Sequence, residues 1–210
     1  TEIWVINSKI RFKLDFFSGT FSTIAKMSET RENFMLGMTL DFVTGFILLV
    51  AGVHLTNNHF ATAFLVMLFG LLVFSLIEYC FHRWLFHSPV PLMEPGHRKH
   101  HESPLGYDSL PFFLPPVTLL VMTFMCTFFT SKNYALLFIG SLAFGYAMYG
   151  LCHRIIHIRR FRHPLLRRWA ARHFIQHHHT DVNFGVTTPL WDYILGTRYV
   201  SKHKAAILET

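Results

Sequence analysis

The chain has 210 residues, of which 51% are hydrophobic, 16% are aromatic and only 15% are charged. This composition is too apolar for an ordinary soluble domain and indicates a membrane protein. The formal net charge of +7 favours contact with anionic lipid headgroups in so apolar a chain, and we expect no nucleic-acid partner. The three cysteines are widely spaced and predict neither a disulfide framework nor a CxxC metal site.

The N-terminal part of the chain, residues 1–33, is predicted to be an interfacial segment, and it lacks the apolar core of a signal peptide. Four apolar runs follow, each long enough or nearly so to cross a bilayer as a helix. They are residues 34–53, 60–79, 111–129 and 134–151. The connections HLTNNH and TSKN allow only tight turns. We therefore predict an all-α membrane protein, a single domain over residues 1–210, with four transmembrane helices in two hairpins over about 34–151. Asp41 lies within the first run and needs a buried partner or a functional role.

The polar segments 80–110 and 152–210 are separated by two predicted crossings, so both lie on the same face of the membrane. Residues 152–172 contain seven arginines, whereas the turns on the opposite face offer only Lys132. The positive-inside rule therefore places the arginine-rich face in the cytoplasm. The segment FRHPLLRRWAARHFI predicts an interfacial helix with Pro164 in its first turn. Together these segments predict a cytoplasmic helical cap.

Histidine is strongly enriched, with 15 residues in the chain. Eleven of them form four clusters on the predicted cytoplasmic face: His82 and His87; His97, His100 and His101; His153 and His157; and His173, His177, His178 and His179. Residues four apart share one face of a helix, so a pair such as His153 and His157 can meet one ion. His82 and His87 are five apart, a spacing that a helix end, or the bridging of two ions, would accommodate. The other four histidines are interpreted as interfacial or surface residues.

A single HxxxH pair is weak evidence for a metal site, but four clusters on one face of the protein predict a metal centre. The fourth cluster is not interpreted as a purification tag, because other residues interrupt its histidines and the segment that follows it has the pattern of a folded chain. About ten imidazoles are too many for one zinc ion, which takes three or four ligands, and they suit two ions with about five each. Imidazole binds zinc, copper, iron and nickel, so the ligand type leaves the metal open. A dimetal centre with open positions at a membrane surface suggests oxygen activation on a lipid chain, which requires iron or another redox metal.

The boxes HX4H, HX2HH, HX3H and HX3HH, together with IEYCFHRWLFH and the closing NFGVTTPLWDYILGT, resemble the fatty acid hydroxylase/sterol desaturase superfamily of integral-membrane diiron enzymes. The resemblance covers about residues 70–197. It implies ten metal ligands: His82, His87, His97, His100, His101, His153, His157, His173, His177 and His178. It also implies two iron ions that activate O2 with electrons from an outside donor, so that a C–H bond becomes an alcohol or a double bond. Zinc can replace iron in purified protein.

The last histidine box departs from the HX2HH of many family members, because three residues precede three consecutive histidines. His178 and His179 can take the places of His177 and His178, so one of the three is expected not to bind metal. No HPGG motif of a cytochrome b5 domain precedes the membrane region. We therefore expect a separate electron-transfer protein, similar to cytochrome b5, a ferredoxin or a reductase.

Acidic and aromatic residues near the boxes are candidates for supporting roles. Carboxylates fix the tautomer of a metal-binding imidazole by accepting a hydrogen bond from its other nitrogen. The acids predicted for this role are Glu78, Asp181 and Asp192. Alternatively, Glu78 and Asp192 only pair with arginines. The aromatic residues predicted to line a lipid channel, with packing as the alternative, are Tyr149, Trp191 and Tyr193.

The leading hypothesis is a membrane monooxygenase that hydroxylates a fatty acyl chain, a sphingoid base or a sterol-like lipid. Desaturation of the same lipids is the alternative that the sequence does not separate. A zinc-dependent intramembrane lipid hydrolase needs only about three histidines, and a metal transporter would hold its ligands near the membrane midplane. A bacterial inner membrane is favoured by the compact form, with the endoplasmic reticulum as the alternative.

Overall fold

The computed structural model describes residues 24, 26–57, 59–88, 93–107 and 109–201. Within these ranges the regular secondary structure is helical and no strand occurs, as predicted. The helices are α1 (Arg31–His54), α2 (Phe60–Cys80), α3 (Glu94–Glu102), α4 (Leu114–Cys126), α5 (Lys132–Ile158), α6 (Pro164–His178) and α7 (Leu190–Ile194). A π-helical turn, Phe81–Phe86, continues α2. Most of the predicted interfacial segment 1–33 lies outside the described residues.

Three helices are long and apolar enough to cross a membrane: α1, α2 with its π-helical turn, and α5. The third predicted crossing is shorter, because α4 has only 13 residues. A helix of that length rises about 20 Å, whereas the hydrocarbon core is about 30 Å thick. The helix begins late because Pro115 and Pro116 lack an N–H group and are tolerated only in a first turn. The described residues therefore hold three candidate spans and one shorter apolar helix, and the predicted layout of four crossings stays a prediction.

The central element of the membrane region is α5, against which α1 and α2 both pack more extensively than they pack against each other. Small residues allow this close approach, as is usual between helices in membranes. A Cβ atom added at Gly70 of α2 would lie 2.7 Å from the Cβ of Ser141, and one added at Gly145 of α5 would lie 2.5 Å from the ring of Phe74. The predicted hairpin of α1 and α2 stays a prediction, since the contacts show only that both helices pack mainly against α5. Asp41 is buried, and its Oδ1 has no hydrogen-bond partner among the described residues.

The start of α1 and the histidine-bearing end of α5 lie at the same end of the helix bundle. The Asn33 side chain donates to the backbone oxygen of Leu110 over 2.9 Å and accepts from the backbone N–H of Phe112 over 3.0 Å. The Arg154 guanidinium lies 4.8 Å from the centroid of the Tyr107 ring. This arrangement agrees with the predicted common face of the polar segments. The assignment of that face to the cytoplasm stays a prediction.

Candidate metal centre

Nine of the predicted ligand histidines lie in two groups, in each of which the potential ligand atoms are within 4.8 Å of one another. The four-histidine group consists of His82, His87, His97 and His101. The five-histidine group consists of His100, His153, His157, His173 and His177. The groups are adjacent, since the rings of His101 and His177 stack with their centroids 4.1 Å apart. All four histidine boxes thus meet in one place.

The π-helical turn after α2 brings His82 and His87 into one group. Residues five apart on a regular α-helix point about 140° away from each other. A π-helical turn closes hydrogen bonds between residues five apart, so such residues lie nearly above one another. The two rings accordingly lie 5.0 Å apart and 31° from parallel. The HX4H spacing therefore delivers two imidazoles to one point because the helix is locally widened there.

The second box is divided between the groups. In α3, His97 and His101 are four residues apart and share a face, and their Nε2 atoms lie 3.1 Å apart. The Nε2 atom of His97 lies 3.1 Å from the corresponding atoms of both His82 and His87. His100 instead points to the five-histidine group, where its ring centroid is 4.4 Å from that of His153. A single short helix therefore contributes to both groups.

Helices α5 and α6 supply the remaining members of the five-histidine group. His153 and His157 are one turn apart at the end of α5, and His173 and His177 are one turn apart on the inner face of α6. The Nε2 atom of His173 lies 2.9 Å from that of His157 and 3.1 Å from that of His177. Pro164 begins α6, as predicted.

The donor atoms fit metal ions. Two nitrogens bonded to one ion at about 2.1 Å, with angles of about 90° to 109°, lie about 3.0 to 3.4 Å apart. The separations around His97 and His173, 2.9 to 3.1 Å, lie at the short end of this range. In addition, the Nε2 atoms of His100 and His153 are buried and have no hydrogen-bond partner among the described residues. Buried polar atoms are rarely left unpaired, and a metal ion would satisfy both.

Burial keeps these imidazoles uncharged. Removal from water, reinforced by neighbouring imidazoles, lowers the pKa of His87 to about 4 and the pKa of His100 and His177 to about 3. The pKa values of His97 and His173 are lowered for the same reason. A neutral imidazole has a free lone pair, so these side chains are ready to bind metal at neutral pH.

The backbone around Phe184 fixes the orientation of His82. The Nδ1 atom of His82 lies 2.6 Å from the carbonyl oxygen of Phe184. A carbonyl only accepts, so Nδ1 carries the proton and the Nε2 lone pair faces the group. Asp192 is fully buried and accepts from the backbone N–H groups of Phe184, over 2.8 Å, and Gly185, over 3.0 Å. It also forms an ion pair of 3.2 Å with Arg172.

Asp192 and Glu78 both accept hydrogen bonds from backbone N–H groups of residues 184–187, here called the C-terminal loop, rather than from an imidazole. Glu78 accepts from the backbone N–H groups of Val186, over 2.6 Å, and Thr187, over 2.9 Å, and from the Thr187 hydroxyl. The arginine pairing considered for Asp192 is present, and no such pair of Glu78 occurs among the described residues. Asp181 is exposed. Among the described residues, the backbone that these carboxylates hold contacts one histidine, His82, through the carbonyl of Phe184.

The other predicted site residues lie around the two groups. His178 and His179 are exposed and belong to neither group, because His178 lies on a different face of α6 from His173 and His179 follows the end of the helix. The His179 ring stacks on Tyr199.

The predicted channel aromatics have three different surroundings. The Tyr149 ring stacks on His153 with centroids 5.6 Å apart. Trp191 donates to the hydroxyl of Ser75 over 3.0 Å. Tyr193 is exposed, with the Arg198 guanidinium 4.9 Å from its ring centroid. Only Tyr149 therefore contacts one of the histidine groups.

Comparison with known proteins identifies the family. A sequence model of the fatty acid hydroxylase family matches residues 66–197, more than half of the chain. The chain belongs to the fatty acid hydroxylase family. The resemblance predicted from the histidine boxes is therefore confirmed, and the matched segment contains every member of both histidine groups.

Curated relatives in the fatty acid hydroxylase family come from fungi, plants and animals. The ceramide very long chain fatty acid hydroxylase SCS7 of Saccharomyces cerevisiae is 32% identical over 165 residues, which cover 70% of this chain and 41% of the yeast protein. The dihydroceramide fatty acyl 2-hydroxylase FAH2 of Arabidopsis thaliana is 28% identical, with coverages of 63% and 60%. The human fatty acid 2-hydroxylase is 30% identical, with coverages of 63% and 39%. The chain thus spans about 40% to 60% of the length of these relatives.

A solved structure shares the fold. The structure of full-length scs7p, in which only the hydroxylase domain is visible, superposes with a TM-score of 0.69. The match covers 83% of this chain and 69% of that chain at 23% sequence identity.

Two of the unpredicted residues near the histidines contact a ring nitrogen, Phe184 at His82 and Gln176 at His87. The carbonyl of Phe184 orients His82, and a backbone group leaves no signal in a search for ligand side chains. Gln176 is fully buried beside His87. Its signal was its position in the last box, three residues after His173, where an HX2HH pattern has a histidine.

Proposed function

We propose that the chain is an O2-dependent hydroxylase that uses two iron ions to insert oxygen into a C–H bond of a fatty acyl chain. The observation that supports the proposal most directly is the pair of adjacent histidine groups at the end of the apolar helices. Two groups of neutral imidazoles match the chemistry of two divalent ions better than one. Neither a hydrolase with one zinc ion nor a transporter accounts for both groups at this position.

The residues of the chain bind and orient the proposed iron pair. The four-histidine and five-histidine groups would each hold one ion, and the hydrogen bond from His82 to Phe184 would fix one ligand in its metal-binding tautomer. When bound, iron supplies the activation of O2 and the oxidation of an unactivated C–H bond. The buried positions of His82 and His173 exclude water from the inner side of the centre.

The proposed substrate is the acyl chain of a membrane lipid, hydroxylated at carbon 2. Relatives named as fatty acid 2-hydroxylases and dihydroceramide fatty acyl 2-hydroxylases support both the lipid class and the carbon. The location of the histidines at the ends of apolar helices would let an acyl chain approach from the bilayer, past Tyr149 beside His153. Electrons would come from a separate donor protein on the same face of the membrane, which we propose is the cytoplasmic one.

The test uses the full chain purified in detergent without added zinc and loaded with ferrous iron. We expect two iron ions per chain. Incubation with a ceramide or free fatty acid, a reducing system and ¹⁸O₂ should give a product that has gained one labelled oxygen atom at carbon 2. A product that has instead lost two hydrogen atoms would assign desaturation to the chain. Product with unlabelled oxygen, or an iron content below two in the unaltered chain, would contradict the proposal.

A matched pair of histidine variants provides the control. The double change His153→Ala and His157→Ala removes two members of the five-histidine group and should lower the iron content to about one ion per chain and abolish the product. His163→Ala alters an exposed histidine that makes no capping hydrogen bond at the start of α6. It should keep both ions and the product. Equal metal contents in the two variants would be incompatible with the proposed centre.

A further inference from the structure

The two histidine groups are unequal, and a buried glutamine lies beside the smaller one. Gln176 is fully buried on the inner face of α6, between His173 and His177. Its side-chain amide lies at the four-histidine group, with Nε2 2.5 Å from the Nε2 atom of His87. Its Oε1 is buried and has no hydrogen-bond partner among the described residues. A buried amide with an unpaired oxygen requires an explanation, because such atoms are rarely left without a partner.

The orientation of the amide determines what it can do there. The nitrogen and oxygen of a glutamine amide are nearly identical in shape, and a half-turn of the amide exchanges them. If the Nε2 lone pair of His87 binds a metal ion, an N–H group beside it has no acceptor. The amide oxygen in the same place presents a lone pair to the ion. The half-turn thus replaces a contact between two nitrogens by a second metal ligand next to His87.

The position of Gln176 in the chain agrees with this assignment. Residues 173–177 have the sequence HFIQH, so Gln176 stands where the HX2HH box of many family members has a histidine. Residues three apart on a helix are neighbours on one face. The same helix turn therefore presents His173 to the five-histidine group and Gln176 to the four-histidine group.

We propose that Gln176 is the fifth ligand of the metal ion in the four-histidine group, and that it binds through its side-chain oxygen. This assignment rests on the two-ion centre proposed above. It gives each ion five protein ligands, all nitrogens in one case and four nitrogens with one oxygen in the other. Oxygen and imidazole ligands occur together in known protein iron sites, so the mixed set is compatible with iron.

The test compares three substitutions in the full chain, depleted of metal and titrated with Co²⁺ against a coloured chelator. Gln176→Leu removes the oxygen and keeps an apolar side chain of similar size. Gln176→Glu keeps an oxygen at the same reach but has no N–H group. Gln176→His restores the family pattern. The His163→Ala variant serves as the control for an exposed site.

The unaltered chain and His163→Ala should bind two Co²⁺ ions per chain. In Gln176→Leu, one of the two ions should bind at least about 10-fold more weakly, the loss typical of removing even an indirect ligand contact, while the other ion keeps its affinity. The weakened site should also absorb more strongly in the visible range, because Co²⁺ with four ligands absorbs more intensely than Co²⁺ with five. Gln176→Glu and Gln176→His should both retain the two ions.

The alternative is that Gln176 only donates a hydrogen bond to His87 or fills space. In the first case Gln176→Glu would lose one ion, since a carboxylate has no N–H to donate. In the second case Gln176→Leu would bind both ions with unchanged affinity and spectrum. Either result would overturn the assignment of Gln176. Fewer than two ions in the unaltered chain would instead overturn the two-ion centre itself, so the two failures are distinguishable.

Discussion

The orientation of His82 depends on a chain of hydrogen bonds that begins at buried carboxylates. Asp192 holds the backbone N–H of Phe184, and the carbonyl of the same residue accepts from His82. Glu78, near the end of α2, accepts hydrogen bonds from the backbone N–H groups of Val186 and Thr187 in the same loop. The acids near the boxes therefore act on the metal centre by fixing a loop, and a histidine is fixed by the backbone of that loop.

Substitutions of Glu78 test this role. Glu78→Gln keeps an oxygen for the two backbone N–H groups and places its NH2 group next to the Thr187 hydroxyl, which can accept. Glu78→Ala leaves the N–H groups of Val186 and Thr187 without their acceptor, at a cost of about 1 to 3 kcal/mol for each unpaired group. We expect Glu78→Ala to lower the unfolding temperature in detergent and Glu78→Gln to leave it nearly unchanged. If Glu78 served only to pair with an arginine, both variants would lose the same stability.

The existence and location of the histidine site could be predicted from the sequence, but the distribution of its ligands between the two groups could not. The four boxes and their common face followed from spacing and from the order of the apolar runs, and the structure brings nine histidines together. The division of His97, His100 and His101 between two groups was not predictable, because it depends on where α3 lies. The positions of His178 and His179 outside both groups depend on the exact rotation and end of α6, which three consecutive histidines do not define.

At the scale of helices, local deviations from regular geometry place the ligands. The π-helical turn Phe81–Phe86 aligns His82 with His87, although a regular helix would separate them. The sequence showed that residues five apart do not share one face of a regular α-helix. It did not show that a π-helical turn brings them together. Likewise the run 111–129 has the composition of a crossing, and only the placement of Pro115 and Pro116 indicates that its helix begins late. Composition predicted which segments are apolar helices, whereas their lengths depended on local backbone chemistry.

The close packing of α5 against α2 predicts unequal effects of two similar substitutions. At Gly145 a methyl group would lie 2.5 Å from the Phe74 ring, whereas at Gly150 of the same helix it would have no neighbour within 4 Å. Phe74 is buried in the core and cannot move aside freely. We expect Gly145→Ala to destabilise the protein by about 1 to 3 kcal/mol, the usual cost of overpacking. Gly150→Ala should not lower the free energy of unfolding.

Thermal unfolding of the two glycine variants in the same detergent provides the measurement. The difference between them isolates steric overlap, because both changes add one methyl group to α5. Equal unfolding temperatures would show that α2 moves away from α5 without cost.

At the scale of the whole molecule, apolar side chains lie on the outer surface of the long helices. The imidazoles of the two histidine groups lie together at one end of these helices. Phe46, Phe69 and Phe124 are each more than half exposed, as expected for residues that face lipid. The core around Leu142 and Phe74 is narrow, and it fixes the helices at whose ends the histidines meet. The membrane-facing surface and the metal centre therefore belong to one packed unit.

The lowered pKa values predict how the stability of the metal-free protein depends on pH. An unfolded histidine has a pKa of about 6.5, whereas burial lowers the pKa of His87 to about 4 and that of His100 to about 3. Between these values the unfolded chain binds protons that the folded chain does not bind. The contribution of these neutral histidines to the free energy of unfolding is therefore fully present above about pH 6.5, and it is lost progressively as the pH falls toward 4.

Unfolding temperatures of the metal-free chain at pH 7.5 and pH 5 check this expectation, with a lower value expected at pH 5. His100→Asn removes one of the titrating groups and should reduce the difference between the two temperatures. Because the carboxylates are the same in both chains, the change in this difference between the unaltered chain and His100→Asn reports the contribution of His100. An unfolding temperature that is unchanged or higher at pH 5 would contradict the expectation.

Helix α3 has a particular consequence for the metal centre. It has only nine residues, each of which keeps part of its surface exposed, yet it contributes His97 and His101 to one group and His100 to the other. Three side chains on one rigid turn and a half of helix cannot move independently. Any shift of α3 therefore displaces donor atoms in both groups simultaneously. A change that moves α3 therefore alters both ion positions together, whereas a substitution on another helix, such as one at Gln176, can alter one position alone.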